Sequence, residues 1–476
     1  TQELDLSGAH LSYGDFKDAT FQATGAIRLN GTGLANADLS GSKLNSTESP
    51  SRYASTSLRP TSLAFGHALI DFAKANLTNA DLSGSVLTAK GGYGTIDFNE
   101  ANLANADLSG SNLTVDASDA GGWTVIDFAR ANLANADLSG WTLTARERLS
   151  GSSTIDFTEA NLANADLSDS TLTAEGDYYT TIDFTEANLA NADLSGWTLT
   201  VEGGHLGGDG TIDFAKANLT NADLSGSALT AEGGHGTIDF NRANLANADL
   251  SGSALTAESE SGDGTIDFAK ANLANTDLRD STLTAEGGYL GDGTIDFTEA
   301  TLTNADLSDS TLTAKADYGV TIDFTEANLA NADLSGSTLT ANSGYADGTI
   351  DFTEANLANT DLSDSALTAD SAYYGDGTID FAKANLANTD LSGWMLIADK
   401  IIGPTPCADK SKRCMKKKCE TYKKKKKKKC KKTCNLCKPE EDFCGVDTAK
   451  NCKEKKCKGY KKKKLNTCKK TCCDLS

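Results

Sequence analysis

The stretch Ile70-Asp71-Phe72-Ala73-Lys74-Ala75-Asn76-Leu77-Thr78-Asn79-Ala80-Asp81-Leu82-Ser83-Gly84-Ser85-Val86-Leu87-Thr88-Ala89 decides the fold. Its large apolar residues fall every five positions, at Phe72, Leu77, Leu82 and Leu87. A small residue stands two before most of them: Ala75, Ala80 and Ser85. A period of five fits neither a 3.6-residue helix nor the two-residue alternation of a strand. It fits a coil that turns a corner every five residues, with the leucine and the small residue inward and the polar residue between them outward. Four such sides use the 20 residues of the unit. Each coil then stacks on the next at about strand spacing, ~4.8 Å.

The unit starts again at Ile96, Ile126, Ile155, Ile182, Ile212, Ile238, Ile266, Ile295, Ile322, Ile350 and Ile379, at intervals of 26 to 30 residues. Two weaker copies precede it, at Leu4 (Leu-Asp-Leu) and Ile27 (Ile-Arg-Leu), which makes about 14 coils. Glycine-rich stretches of 6 to 10 residues, such as Lys90–Thr95, join the units and are expected to be loops. Residues 45–69, with Arg52, Tyr53, Arg59, Pro60 and His67, break the pattern and are expected to leave the coil.

Composition narrows the class. The 476 residues are 39% hydrophobic, with a mean hydropathy of -0.36. No apolar run approaches the ~20 residues of a transmembrane helix, so no membrane span is expected. Five prolines exclude a proline-rich stalk, and 44 glycines without a three-residue period exclude collagen. Residues 407–476 hold 27 Lys+Arg against 8 Asp+Glu, a net of +19, whereas residues 1–406 carry -41. An acidic body with a basic tail points to charged partners or to contact between copies.

The body resembles the pentapeptide-repeat family, whose motif Ala-Asp/Asn-Leu-x-x reads here Ala75-Asn76-Leu77 and Ala80-Asp81-Leu82. The resemblance covers about residues 4–398 and implies an all-β fold, a right-handed four-sided parallel β-helix, over a domain 1–403. Two departures set further expectations. A loop interrupts nearly every turn, and Trp141, Trp197 and Trp394 stand where Ser85 stands. A tryptophan is too large for a narrow lumen, so the fourth side is expected to be displaced or to face outward, and the cross-section to be larger than the family's.

All 12 cysteines lie between Cys407 and Cys473. An even count in a short segment reads as disulfides and an oxidising compartment. The chain begins at Thr1 with no charged or apolar leader, which reads as a mature secreted protein whose signal is gone. The spacings are 6-4-10-3-2 and 7-4-10-3-0, so two modules, 404–438 and 439–476, share a central pattern. No histidine lies in the tail, and knuckle-type pairs are lacking, which disfavours zinc. The first module resembles the ShK-type toxin domain through Cys430-Lys431-Lys432-Thr433-Cys434-Asn435-Leu436-Cys437. The resemblance implies the pairs Cys407–Cys437, Cys414–Cys430 and Cys419–Cys434, and for the second module Cys444–Cys473, Cys452–Cys468 and Cys457–Cys472. The Lys-Tyr pair that toxins of that family use on channels has no counterpart: Lys424-Lys425 and Lys462-Lys463 stand at the matching positions.

Stacking turns each outward position into a ladder. Asp81, Asp107 and Asp137 form one, and Asp71, Asp97 and Asp127 another. Their expected role is to accept corner amides in Asx-type turns. The sharper alternative is structural calcium between rungs, aided by Asp209, Asp263, Asp292, Asp347 and Asp376. Thr142-Leu143-Thr144 and its repeats read as hydroxyl ladders with good strand propensity. Sequons at Asn30, Asn45, Asn76, Asn112 and Asn218 are glycosylation candidates in a secreted chain. The four histidines are scattered and no catalytic motif or cofactor fingerprint appears, so no enzyme is expected. The lysine runs lack interleaved stacking aromatics, and no nucleic-acid partner is expected.

The function these features imply is that of an extracellular structural protein. The chain would be the self-assembling subunit of a fibril, sheath or surface appendage, with head-to-tail contacts between acidic solenoid and basic tail. Its partners would be further copies of itself and an anionic extracellular polysaccharide. The rival is a monomeric secreted glycan- or matrix-binding protein that uses tyrosine-bearing loops and the basic modules.

Overall fold

The computed structural model describes residues 3–48, 67–117, 122–147, 150–204 and 207–403. Among these residues there are 29 strands, β1 to β29, and no helix. The odd-numbered strands form one 15-stranded parallel sheet and the even-numbered strands a 14-stranded one. The chain is a right-handed parallel β-solenoid. Twelve turns start at the strict Ile-Asp-Phe copies and two at the weaker ones. β1 (Leu4–Asp5) and β3 (Ala26–Arg28) open the odd sheet, and β2 (Thr20–Thr24) and β4 (Lys43–Thr47) the even one.

Each coil has two sheet sides and two sides held by single bridges. The bridged sides run through columns such as Asn76–Asn102–Asn132 and Asp81–Asp107–Asp137. Corners are tight turns in which the amide of Ala75 donates to the Phe72 carbonyl (2.9 Å) and that of Ala80 to Leu77 (2.9 Å). The third turn residue is left-handed: Lys74 at φ 59°, Asn79 at 55° and Gly84 at 61°. These three rules repeat in every later coil, which is why the five-residue period is so strict.

The lumen is filled column by column. Twelve phenylalanines, Phe72 to Phe381, stack with centroids 4.7 to 5.1 Å apart and planes within 5°. Leucine and alanine columns complete the core. Burying one such side chain contributes about 1.5–3 kcal/mol, repeated at each rung.

Two expectations are corrected. Trp141 and Trp197 point inward and are fully buried, with edges on Phe128 (5.1 Å) and Phe184 (5.2 Å). The serine column they replace is also buried, so the fourth side faces the lumen and is not displaced. The lumen admits an indole because the fourth corner is missing. There the chain runs past the square and returns.

That excursion is the second correction. Of Lys90–Thr95, Lys90 ends β6 (Val86–Lys90), and Tyr93 begins β7 (Tyr93–Asp97), so the connection is Gly91-Gly92 alone. Strand reaches into the glycine-rich stretches from both ends, and the connections left between strands run from two residues (91–92) to seven (203–209). These stretches form a thin two-layer fin in which the sheets converge. A Cβ on Gly236 would lie 2.3 Å from the Glu258 carbonyl oxygen and 2.5 Å from that of Ala231. Alanine against glycine permits this approach, and where the coil carries Val115 its methyl fills the space beside Gly94.

The 45–69 boundary also shifts. Asn45 sits in β4, paired with Gln22 and Thr88, and β5 (His67–Asp71) already contains His67. The stretch outside the described residues is 49–66.

Candidate functional site

The outward ladders and the fin edge are where this rod can meet other molecules. Both aspartate ladders have the expected turn role. Asp71, Asp97 and Asp127 each accept the amide two residues on, at 3.0, 2.8 and 2.8 Å. Asp81 accepts both the amide (2.9 Å) and the hydroxyl (2.6 Å) of Ser83, and Asp107 does the same with Ser109.

The two ladders differ in electrostatics. On the Asp81 column, hydrogen bonds from the Ser40 hydroxyl and amide hold Asp38 below the usual carboxylate range. On the Ile-Asp-Phe column, burial raises Asp97 to about 6, against the hydrogen bond from Asn99, and the neighbours Asp127 and Asp71 add to the rise. Asp239 is likewise raised to about 6, first by burial. Burial also raises Asp127, Asp213 and Asp267.

A pH prediction follows. A carboxyl whose folded pKa is raised contributes stability that is complete below its unfolded value and is lost as pH rises through the folded value. Melting temperature is therefore expected to rise as pH falls from about 7 to about 4, and to drop again only below the unfolded carboxylate range. Circular dichroism melts check it. The double variant Asp97→Asn/Asp239→Asn should flatten the rise. A melting temperature that is constant or falls over that interval contradicts the reading.

The loop aspartates have partners of their own. Asp263 accepts the Asp292 amide (2.8 Å), Asp292 that of Gly319 (2.7 Å), and Asp347 that of Asp376 (2.9 Å). These bonds tie successive fin tips together. Among the described residues no group of three or more His, Cys, Asp or Glu side chains could hold a metal ion. The carboxylates of Asp263, Asp292 and Asp347 at the fin thus serve backbone amides.

Asparagine ladders are the feature the sequence reading missed. At the second corner every coil from the second onward carries Asn, from Asn36 to Asn388. The amide groups chain together: Asn247 Nδ2 donates to Asn221 Oδ1 (3.1 Å), and Asn275 Nδ2 to Asn247 Oδ1 (3.0 Å). A parallel chain runs through Asn132, Asn161, Asn188 and Asn218 at 2.9 to 3.1 Å. The first corner achieves the same with charges, Glu186 with Lys216 (2.8 Å) and Glu299 with Lys270 (3.5 Å). Those pairs are about half exposed, so they stabilise little.

The sequons sit within this scaffold. Asn218 and Asn76 lie on the bridged side, and each Oδ1 accepts a hydroxyl two residues on, Thr220 or Thr78, at 2.7 Å. Asn112 lies in β8 (Asn112–Ala117) and accepts Thr114 Oγ1 (2.7 Å). Asn45 lies in β4, and Asn30 accepts the Ser7 hydroxyl. All five therefore belong to the coil. The six cysteine pairs and both basic modules, 404–438 and 439–476, lie outside the described residues.

The fin edge carries the exposed aromatic rings. Trp123 is 65% exposed and meets Tyr93 edge-on at 6.4 Å. Tyr318, Tyr345 and Tyr373 occupy three successive tips, with Tyr345 and Tyr373 stacked at 5.0 Å and 17°. Tyr178, Tyr179, Tyr289 and Tyr374 are exposed on the same connections. Among the described residues no helix is long and apolar enough to cross a membrane.

The family of pentapeptide repeats matches in eight copies, at residues 96–114 and 322–341. No curated protein matches the chain. Among solved structures, the chain is similar to HetL, a pentapeptide repeat protein involved in heterocyst differentiation regulation from the cyanobacterium Nostoc sp. strain PCC 7120. Identity is 17%, over 74% of this chain and 90% of that one, with a TM-score of 0.19. It is also similar to QnrB1, a plasmid-mediated fluoroquinolone resistance protein, at 13% identity over 65% of this chain and 90% of that one, with a TM-score of 0.18. Pentapeptide-repeat proteins are in general structural or regulatory rather than enzymatic. The solenoid body of this chain carries repeats that match the pentapeptide-repeat family.

Proposed function

We propose that the chain is an extracellular structural protein, the self-assembling subunit of a fibril, sheath or surface appendage. One observation carries the reading. Among the described residues, β1 and β2 pair on one side only, and so do β28 (Met395–Ile397) and β29 (Lys400–Ile402). Unpaired strand edges are templates for a further chain. Apolar side chains accompany them. Leu4, Leu6, Leu11, Phe16 and Phe21 line a mouth at one end, and Met395, Ile397 and Ile401 are exposed at the other.

The two ends are not the same surface, so contact between them is heterologous and runs on as a filament. β29 stands one rung beyond β28. A β29-to-β1 junction therefore leaves a gap one strand wide in the even sheet. Contact between the basic tail and the acidic shaft would bridge that step, since the tail carries +19 and residues 1–406 carry -41.

Sedimentation of the full chain tests this. At low salt it should sediment as assemblies, and added salt should disperse them, because exposed charge pairs are screened beyond about 10 Å at ~0.1 M. A monomer at every salt concentration contradicts it. The monomeric glycan-binding reading draws on the exposed rings. It is the weaker one, because Tyr345 and Tyr373 turn their faces to each other.

A further inference from the structure

The tyrosines at the C-terminal end of the fin are exposed, paired and held in register by backbone bonds. Tyr345 is 46% exposed and Tyr373 70%. Their rings lie face to face across one rung at 5.0 Å, and Tyr318 lies one rung further on, 6.3 Å from Tyr345. The tips beneath them do not move independently. The Tyr345 amide donates to the Asp317 carbonyl (2.7 Å), and that of Gly344 to Ala316 (2.9 Å). The Ala372 amide donates to the Ser343 carbonyl (2.9 Å), and the Asp376 amide to Asp347 Oδ1 (2.9 Å). Each ring spends one face on the other. The pair is well placed for a reaction between the two rings.

We propose that Tyr345 and Tyr373 form an oxidative cross-linking site, at which a peroxide oxidant couples the two phenols into a carbon–carbon-linked dityrosine. Each phenol gives up its hydroxyl hydrogen, as a proton and an electron, to a peroxidase charged by hydrogen peroxide. The two phenoxyl radicals join ortho carbon to ortho carbon. The ring hydrogens at the joined carbons then shift to the oxygens and restore both phenols. In sum, two side chains lose one hydrogen each, and one hydrogen peroxide becomes two waters. Because the rings belong to successive coils of one chain, the reaction needs no second copy and does not depend on assembly. The product staples neighbouring fin tips, and Tyr318 can extend the staple by one rung.

The test treats dilute full-length chain with a haem peroxidase and hydrogen peroxide, digests it, and searches for joined peptides by mass spectrometry. The expected result is a Tyr345–Tyr373 peptide pair lacking two hydrogens, formed ahead of every other tyrosine pair. Tyr345→Phe keeps the stacked ring and removes the phenol, and should abolish that product with an unchanged circular dichroism spectrum. Tyr289→Phe, one tip before Tyr318, should leave it intact. Absence of the pair, its persistence in Tyr345→Phe, or coupling spread evenly over the exposed tyrosines overturns the proposal.

Discussion

Phe240→Ala is expected to be the most damaging single substitution in the shaft, at about 3–5 kcal/mol. Phe240 is fully buried, and its ring contacts Phe214 and Phe268, each at 4.8 Å and 2°. Removal leaves a cavity in a lumen that neighbouring coils cannot collapse, because their spacing is fixed by two continuous parallel sheets. Two ring–ring contacts disappear as well, each worth about 0.5–1.5 kcal/mol beyond area burial. Part of that sum overlaps the cavity cost, so the range already given stands. A solenoid is quasi-one-dimensional, and each coil contacts its neighbours alone. The lesion should therefore divide the shaft, and denaturant unfolding should change from one cooperative transition to two. A loss below about 1 kcal/mol with a single transition would show that the column is not the continuous core described here.

Asn247→Val is expected to cost about 2–6 kcal/mol, by two separable routes. Asn247 holds φ 58°, where a β-branched residue is strained by about 1–3 kcal/mol. Its side chain also donates to Asn221 and accepts from Asn275, and each lost hydrogen bond costs about 0.5–1.5 kcal/mol. Asn247→Gly keeps the backbone and removes the ladder alone, so it should cost about half as much. Thermal melts of the two variants separate strain from ladder. Equal losses would assign the whole effect to the ladder, and no loss in the glycine variant would assign it to backbone strain.

That second prediction rests on what distinguishes three corners of equal φ. The first accepts Lys74, Glu100 and Arg130 at 55–59°, so a left-handed corner does not by itself demand asparagine. The second carries asparagine in coil after coil because a primary amide both donates and accepts, and so bonds identical neighbours above and below. Aspartate has no donor, and a column of it would repel itself. The third takes glycine or aspartate. Asp169, Asp309 and Asp364 reach over Gly196, Gly336 and Gly393, where a Cβ would come within 2.7 Å of the carboxylate oxygen or closer.

The five-residue period gave the coil, its handedness through the family resemblance, and the inward leucines and alanines. The turn role of Asp71 and Asp81 was also readable, since an acidic residue two before a corner amide has an obvious acceptor geometry. Other features depend on stacking, which a single unit does not display. Trp141 fits inside because the square lumen is open at its fourth corner. Lys90–Thr95 looked like a loop because of its glycines. Gly91 and Gly92 instead make a two-residue connection, and Gly94 lets the two strands approach closely. The asparagine ladder did have a signal, the invariance of Asn at position ten of the unit, but its meaning appears only when copies lie one above another.

Electron microscopy of the full-length chain tests the central claim most directly. Fifteen strands in one sheet, with β29 paired to β1 of the next copy, make a shaft that repeats every roughly 72 Å at about 4.8 Å per rung. The account predicts filaments with an axial repeat near that length, lengthened by whatever the tail contributes, that come apart as salt is raised. Isolated rods of one shaft length at every salt concentration would contradict it.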